Sequence, residues 1–192
     1  MQQSKRRLNS ETVVDGAVEL VNEQGPDALS LAELAARFRV RPPSLYNHVD
    51  GLDGLRHALA LRGLQGLAET MRGAATGRSG FDAIRAVAGA YRDFAHAQPG
   101  VYAFTLRAPG PEEQDLQEAA GAVLDVVLAA LRGYGFGDEA AIHAARTLRS
   151  ALHGFVALEL MGGFGLPQAL DESFDLLLQV QDRGLRGLSG HE

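Results

Sequence analysis

The apolar positions recur at helical spacing from Val13 to Leu178, and no stretch carries the strict two-residue alternation of a half-buried strand. Val13, Ala17, Leu20, Val21 and Gln24 mark the inner face of a first helix, which Asn9 or Ser10 caps and Gly25-Pro26 stops. Ser30 and Glu33 then form a capping box, whose side chains satisfy the free N–H groups that open a helix. A second helix therefore begins at about Leu31. Leu31, Leu34, Ala35 and Phe38 turn inward, leaving Ala32, Glu33, Ala36 and Arg37 outside. Pro42-Pro43 suits the first turn of a third helix, because early N–H groups lack partners there anyway. That helix is expected from about Pro43 to Val49, with Leu45 and Val49 inward.

Beyond Asp50 the pattern stays helical. Residues 51–72 read as a linking helix with Leu55, Leu59, Leu64, Leu67 and Met71 on its apolar side. Gly54, Gly63 and Gly66 interrupt it, each costing roughly 1 kcal/mol against alanine. They make it either soft or able to pack closely. Residues 73–80 are the clearest loop and the expected domain boundary. Residues 81–97 carry Ile84, Val87, Ala88, Tyr91 and Phe94 at helical spacing, followed by a short helix over 101–106 and a proline-rich loop over 107–114. Residues 115–134 read as a helix that is nearly apolar on all sides over 119–131, which predicts a helix surrounded by others. Asp138 is the expected cap of a helix reaching about Met161, and a last helix spans about Pro167 to Gly187. The expectation is an all-α protein of about nine helices: 1–50 a helix-turn-helix unit, 51–72 a linker, and 73–192 a second helical domain.

The outward positions of the third helix carry the chemistry. Ser44, Tyr46, Asn47 and His48 present hydroxyl, amide and imidazole groups where an idle surface usually carries Glu and Lys. Such groups suit base edges and phosphates. The charge distribution agrees. The net charge is −6, yet the basic residues through Asp50 cluster as Lys5-Arg6-Arg7 and as Arg37, Arg39 and Arg41. A locally basic tip on an acidic body fits contact with DNA at one end. No apolar run approaches the roughly 20 residues of a membrane span, and the first residues carry no apolar secretion segment. The expected location is the cytoplasm, and the absence of cysteine excludes thiolate metal sites.

Residues 8–60 resemble the DNA-binding domain of the tetracycline-repressor (TetR) family. The resemblance rests on the helix ending at Gly25, on Ala28-Leu29-Ser30-Leu31, on Leu34-Ala35 with Phe38 and Val40, and above all on Ser44-Leu45-Tyr46-Asn47-His48-Val49. It implies a homodimeric transcription regulator, usually a repressor released by a small molecule, on a roughly palindromic operator. By the same resemblance Ser30 and Ala32 approach DNA from the second helix, while Arg41, Pro42, Ser44, Tyr46, Asn47 and His48 fall on recognition-helix contacts. Two departures stand out. Arg39 occupies a place usually held by glycine, and Asp50-Gly51-Leu52-Asp53 lacks the family's lysine. A phosphate contact therefore falls to Arg39, Arg41 or the arm of Lys5, Arg6 and Arg7. The stretch from Leu152-His153-Gly154-Phe155 to Phe174 also resembles a WHG-type C-terminal domain without its tryptophan. The last two long helices are expected to pair with those of a second subunit, through Leu148, Leu152, Val156, Phe174, Leu177, Leu178 and Gln181.

The remaining polar and aromatic residues supply candidates for an effector site. Tyr91, Phe94, Tyr102, Phe104 and Phe155 lie in segments that surround the family's effector cavity, and each also suits a core. His153 and Glu159 sit in an otherwise apolar helix, where a buried polar group needs a partner from ligand or protein. His57, His96, His143, His153 and His191 have no spacing of three or four between them, so neither metal nor cofactor is expected. No Gly-x-Ser-x-Gly elbow is present, and an enzyme is not expected. Two rivals remain: a DNA-binding dimer without an effector, and a small helical enzyme or adaptor.

Overall fold

The computed structural model describes residues 8–189. Among them there is no strand, and eight α-helices are interspersed with three short 3-10 segments. The described residues fall into two compact units, one drawn from Met1–Leu64 and Gln98–Glu118, the other from Gln65–Ala97 and Ala119–Glu192. The units interleave along the chain, where the sequence suggested three consecutive segments. No single helix among the described residues is long and apolar enough to cross a membrane.

The first unit opens with α1 (Ser10–Gln24), capped by Asn9, whose side chain accepts the Thr12 N–H at 2.8 Å. Val13, Ala17, Leu20 and Val21 are buried as expected, whereas Gln24 is exposed in the helix's last turn. Gly25, at φ 89°, ends α1, and a 3-10 turn over Pro26–Ala28 leads to α2 (Leu31–Phe38). Ser30 Oγ accepts the Glu33 N–H at 3.1 Å, so the expected cap forms. Gly16 lets the Phe38 ring lie against α1, where a Cβ would collide with it. Arg39 ends α2 in the left-handed conformation, φ 56° and ψ 41°, with its N–H shared between the Ala35 and Ala36 carbonyls. The backbone thus keeps the turn that glycine would make, at the roughly 1–2 kcal/mol an L side chain costs there.

The third element is a 3-10 helix over Pro42–Asn47 in place of the α-helix expected from Pro43 to Val49. Two adjacent prolines remove the N–H groups that would begin an α-helical ladder. Ser44 N–H to Arg41 O at 2.9 Å and His48 N–H to Leu45 O at 2.8 Å reach back three residues, and a bond reaching back four comes only after the 3-10 segment, from Val49 N–H to Leu45 O at 3.1 Å. Next comes α3 (Gly51–Ala75), slightly longer than expected. Its Gly63 faces the Thr105 methyl and Val101, and a Cβ there would crowd both. That observation favours close packing over softness at Gly63. The packing partner is α5 (Pro99–Phe104), whose Gly100 leaves no room for a Cβ against the Val21 carbonyl of α1. Asn22 Oδ1 accepts the N–H groups of Gly100 at 3.0 Å and Val101 at 3.2 Å, fixing α5 on α1.

In the second unit the core is made by α4 (Gly80–Ala97), α7 (Asp138–Leu160) and α8 (Leu170–Ser189). Ile84, Val87 and Phe94 of α4 are buried, as are Leu148, Leu152 and Val156 of α7 and Phe174, Leu178 and Leu185 of α8. This corrects the expected dimer residues. Leu148, Leu152, Val156, Phe174 and Leu178 already lie inside the single chain and have no surface to offer, while Leu177 and Gln181 stay half-buried. The apolar side chains that do face outward on α8 are Leu176, Val180 and Leu188. Two smaller expectations are also corrected. Gly137, not Asp138, holds the cap position of α7, and α6 (Gln114–Leu131) leaves Leu124 and Asp125 exposed instead of being surrounded.

Candidate nucleic-acid interface

The recognition turn is a small scaffold with one apolar anchor. Leu45 has no exposed surface, and around it Arg41, Pro42, Tyr46 and Asn47 are exposed, with Ser44 and His48 half-buried. Tyr46 is 62% exposed, a large share for an aromatic ring on a folded domain. Ala32 of α2 and Arg39 at its end are exposed beside this turn in the chain, and Ser30, the cap of α2, is half-buried. Among the described residues Arg39 and Arg41 form no ion pair. The structure therefore leaves both guanidiniums available to phosphates. Lys5, Arg6 and Arg7 lie outside the described residues.

Arg37 separates from the basic cluster in which the sequence placed it. Its guanidinium binds both carboxylate oxygens of Glu23 at 2.8 and 2.9 Å and Glu19 at 3.0 Å. The bond from Arg37 holds the Glu23 carboxyl below the usual carboxylate range. Arg37 thus ties α2 to α1 and steadies the platform on which the turn sits. Nothing in the local sequence marks those partners, which lie 14 and 18 residues away.

The effector candidates are divided. Tyr102 and Phe104 belong to the first unit, and Tyr91, Phe94, His153, Phe155 and Glu159 to the second. Tyr91, Phe94 and Tyr102 are buried core residues, His153 is half-buried, and Phe104 lines a cavity in the first unit. Glu159 meets its need for a partner within the chain. Arg92 of α4 binds its two oxygens at 2.8 and 2.5 Å, and His96 lies 2.9 Å from one of them. Hydrogen bonds from Arg92, then from His96, outweigh burial and hold the Glu159 carboxyl at about 2. Arg92 also reaches Asp171 of α8 at 2.8 Å and lies over the Phe174 ring, 4.9 Å from its centroid. Phe155 packs tilted on both Phe164 and Phe174, with centroids 4.9 and 5.1 Å apart. Glu159 and Phe155 stand out along the sequence, whereas Arg92 and His96 do not. Their position one turn apart on α4, 67 residues from Glu159 for Arg92, carries no local signal. Among the described residues no group of three or more His, Cys, Asp or Glu is arranged to hold a metal ion.

A capped helix, a tight turn and a short proline-started helix with outward polar side chains define a helix-turn-helix DNA-binding protein. Residues 13–59 match the model of the bacterial regulatory proteins of the tetR family, and residues 84–180 match the tetracyclin repressor-like C-terminal domain. The HTH-type transcriptional regulator Rv0681 of Mycobacterium tuberculosis is 39% identical over 81% of this chain and 72% of its own length. The HTH-type transcriptional regulator YobS of Bacillus subtilis is 36% identical over 93% of each chain. A TetR protein of Acinetobacter baumannii AYE, solved in complex with minocycline, shares the fold with a TM-score of 0.71 at 24% identity, covering 95% of this chain and 99% of that one. The chain belongs to the TetR family of DNA-binding transcription regulators, and it is not an enzyme.

Proposed function

We propose that this regulator is a homodimeric, cytoplasmic repressor that a small molecule releases from a roughly palindromic operator. The observation that carries the DNA-reading part is the exposure of Tyr46 and Asn47 directly beside the fully buried Leu45. Ser44, Tyr46, Asn47 and Arg41 discriminate bases, Pro42 touches a thymine methyl, and His48, Ser30, Ala32 and Arg39 lie along the phosphates. Lys5, Arg6 and Arg7 add backbone or minor-groove contacts.

Support for the dimer comes from α8. Leu176, Val180 and Leu188 are exposed at multiples of four residues, with Gly184 completing the row. This row borders a groove of about 470 Å³ lined by Phe136, by Ala140 and Thr147 of α7, and by Val180, Gly184 and Leu188 of α8. A Cβ at Gly184 would meet nothing within 4 Å among the described residues, so the glycine leaves room for another helix. A second copy presenting the same face fills the groove isologously, which places Val180 and Leu188 in the interface where the sequence had placed Leu148 and Leu178.

Release by a ligand follows from differential affinity alone: the effector favours the arrangement in which two recognition turns no longer match successive grooves. The minocycline complex of the Acinetobacter protein supports a small-molecule effector for this fold. Glu159 is satisfied internally, so the effector is not to be sought at that carboxylate.

Fluorescence anisotropy of the purified protein with DNA from upstream of its own gene, at two salt concentrations and with excess unrelated duplex, tests the proposal. Salt-sensitive binding in the nanomolar range that survives the competitor is expected. Binding that the competitor abolishes, both on this DNA and on sites drawn from a random pool, contradicts it.

A further inference from the structure

In the first unit a cavity of about 420 Å³ opens between α3, α5 and the segment that follows α5. Its size falls in the range of small-molecule sites. Ala60 of α3 with Ala103 and Phe104 of α5 gives it an apolar wall. The rim carries two arginine–carboxylate ion pairs, and His57 Nδ1 lies 4.0 Å from Glu113 Oε1. Arg56 Nη1 lies 3.2 Å from Asp53 Oδ1, and Arg107 binds both oxygens of Glu113 at 2.5 and 2.8 Å. Glu113 also accepts the Gly110 N–H at 2.6 Å, so with Gln117, whose Nε2 donates to the Gly110 carbonyl at 2.6 Å, it holds the loop in place. Arg107, then Gly110, keeps the Glu113 carboxyl below its ordinary range. Beside it, His57 Nε2 lies 2.7 Å from Asp115 Oδ2, linking α3 to the first turn of α6.

Both arginine side chains are more than half exposed. Ion pairs so exposed are worth about 0–1 kcal/mol, so a ligand group replaces either partner at little net cost. The sign of the rim then selects the ligand. A lone anion entering the cavity meets two carboxylates, and a lone cation meets two guanidiniums. A molecule with one group of each sign finds a partner for both, and the alanine and phenylalanine wall takes an apolar body.

We propose that this cavity binds a zwitterion with a large apolar side chain, of the α-amino acid class, its carboxylate toward Arg56 and Arg107, its ammonium toward Glu113 and Asp53, and its side chain against Phe104. A carboxylate on Arg107 competes with Glu113, one of the two side chains that anchor the loop over 107–113. Occupancy therefore acts on the packing of that loop against α3. The link from occupancy to DNA release rests on the ligand-responsive reading above, whereas the site itself does not.

Isothermal titration calorimetry of the full chain at neutral pH tests the site. The probes are L-phenylalanine and L-leucine, each compared with the acid that lacks the ammonium and the amine that lacks the carboxylate. Saturable binding of at least one amino acid at one per chain is expected, with both single-charge analogues about tenfold weaker or more, a difference of about 1.4 kcal/mol. Arg107→Gln and Phe104→Ala are expected to weaken it by a similar factor. Circular dichroism checks that each variant is folded, and the surface substitution Arg107→Gln keeps the test valid if Phe104→Ala is not. No saturable binding by either amino acid up to about 10 mM, equal binding of the analogues, or wild-type affinity in folded Arg107→Gln overturns the proposal. The same titrations repeated on operator-bound protein separate the two ideas: binding without release supports the site and contradicts only the release mechanism.

Discussion

At the recognition turn and around Glu159 the same kinds of polar group meet opposite fates. In residues 41–48 the guanidinium, hydroxyl and amide groups point away from one buried leucine. Around Glu159 the charged groups of α4, α7 and α8 are spent on each other, with Arg92 and Glu159 side chains only 17% and 8% exposed. The first arrangement leaves its hydrogen-bonding capacity for another molecule. The second uses it to hold three helices together. Polar residues in a helical protein therefore become candidates for recognition when the chain itself leaves them open, and residue type alone does not decide it. The outer row of α8 extends the contrast to apolar groups, since Val180 is 56% exposed while Leu178, two residues earlier, is buried.

That row offers the sharpest test of what the chain leaves open. In the proposed dimer Val180→Asp places a charge in each copy of an isologous face, so its effect counts twice. Sedimentation equilibrium is expected to show self-association weakened by about 1,000-fold, roughly 4 kcal/mol, with the helical circular dichroism unchanged. Substitution at the spent cluster is expected to act on folding instead. Arg92→Met leaves the buried Glu159 carboxylate with His96 alone, and urea unfolding should register a loss of about 3 kcal/mol. The pH dependence follows from the same carboxyl. Its folded value near 2 lies below the ordinary 4.5, so its contribution to stability is present above about 4.5 and disappears as pH falls toward 2. Wild-type unfolding midpoints are expected to drop across that window more steeply than those of Arg92→Met.

At the open turn the balance reverses. Tyr46→Ala should change unfolding by less than about 0.5 kcal/mol, as befits a surface side chain. It should weaken operator binding by about 2 kcal/mol, read by anisotropy. A variant that binds its operator as the wild type does removes Tyr46 from the reading set. The smallest effect is at the cap of α2. Ser30→Ala removes the acceptor for the Glu33 N–H and is expected to cost about 1 kcal/mol of stability, measured by thermal unfolding.

The tip of the molecule was legible because its signals are local. A capping Ser30 three residues before Glu33, an apolar stripe at helical spacing and a proline pair fix α2 and the start of the next turn without reference to distant residues. The proline pair also explains the miss there: it marks where the turn begins while changing its kind from α to 3-10. The outward face of α8 was not legible, because two apolar rows run along that helix. Phe174, Leu178 and Leu185 make one row and Leu176, Val180 and Leu188 the other, and only the packing of α4 and α7 decides which is inside. Arg37 illustrates the same limit for charge. It sits among cations in sequence, yet its partners Glu19 and Glu23 come from α1. Gly63 stays open to either reading, softness or close packing, until α5 lies against α3.

Selection of binding sites from a pool of random duplexes by the purified full chain tests most directly whether two copies of the 42–48 turn read DNA together. The expected result is an enriched site with two-fold symmetry, whose half-sites lie about 34–36 Å apart and whose enrichment is lost with both Tyr46→Ala and Val180→Asp. A single asymmetric half-site, or no enrichment over the starting pool, would contradict the account.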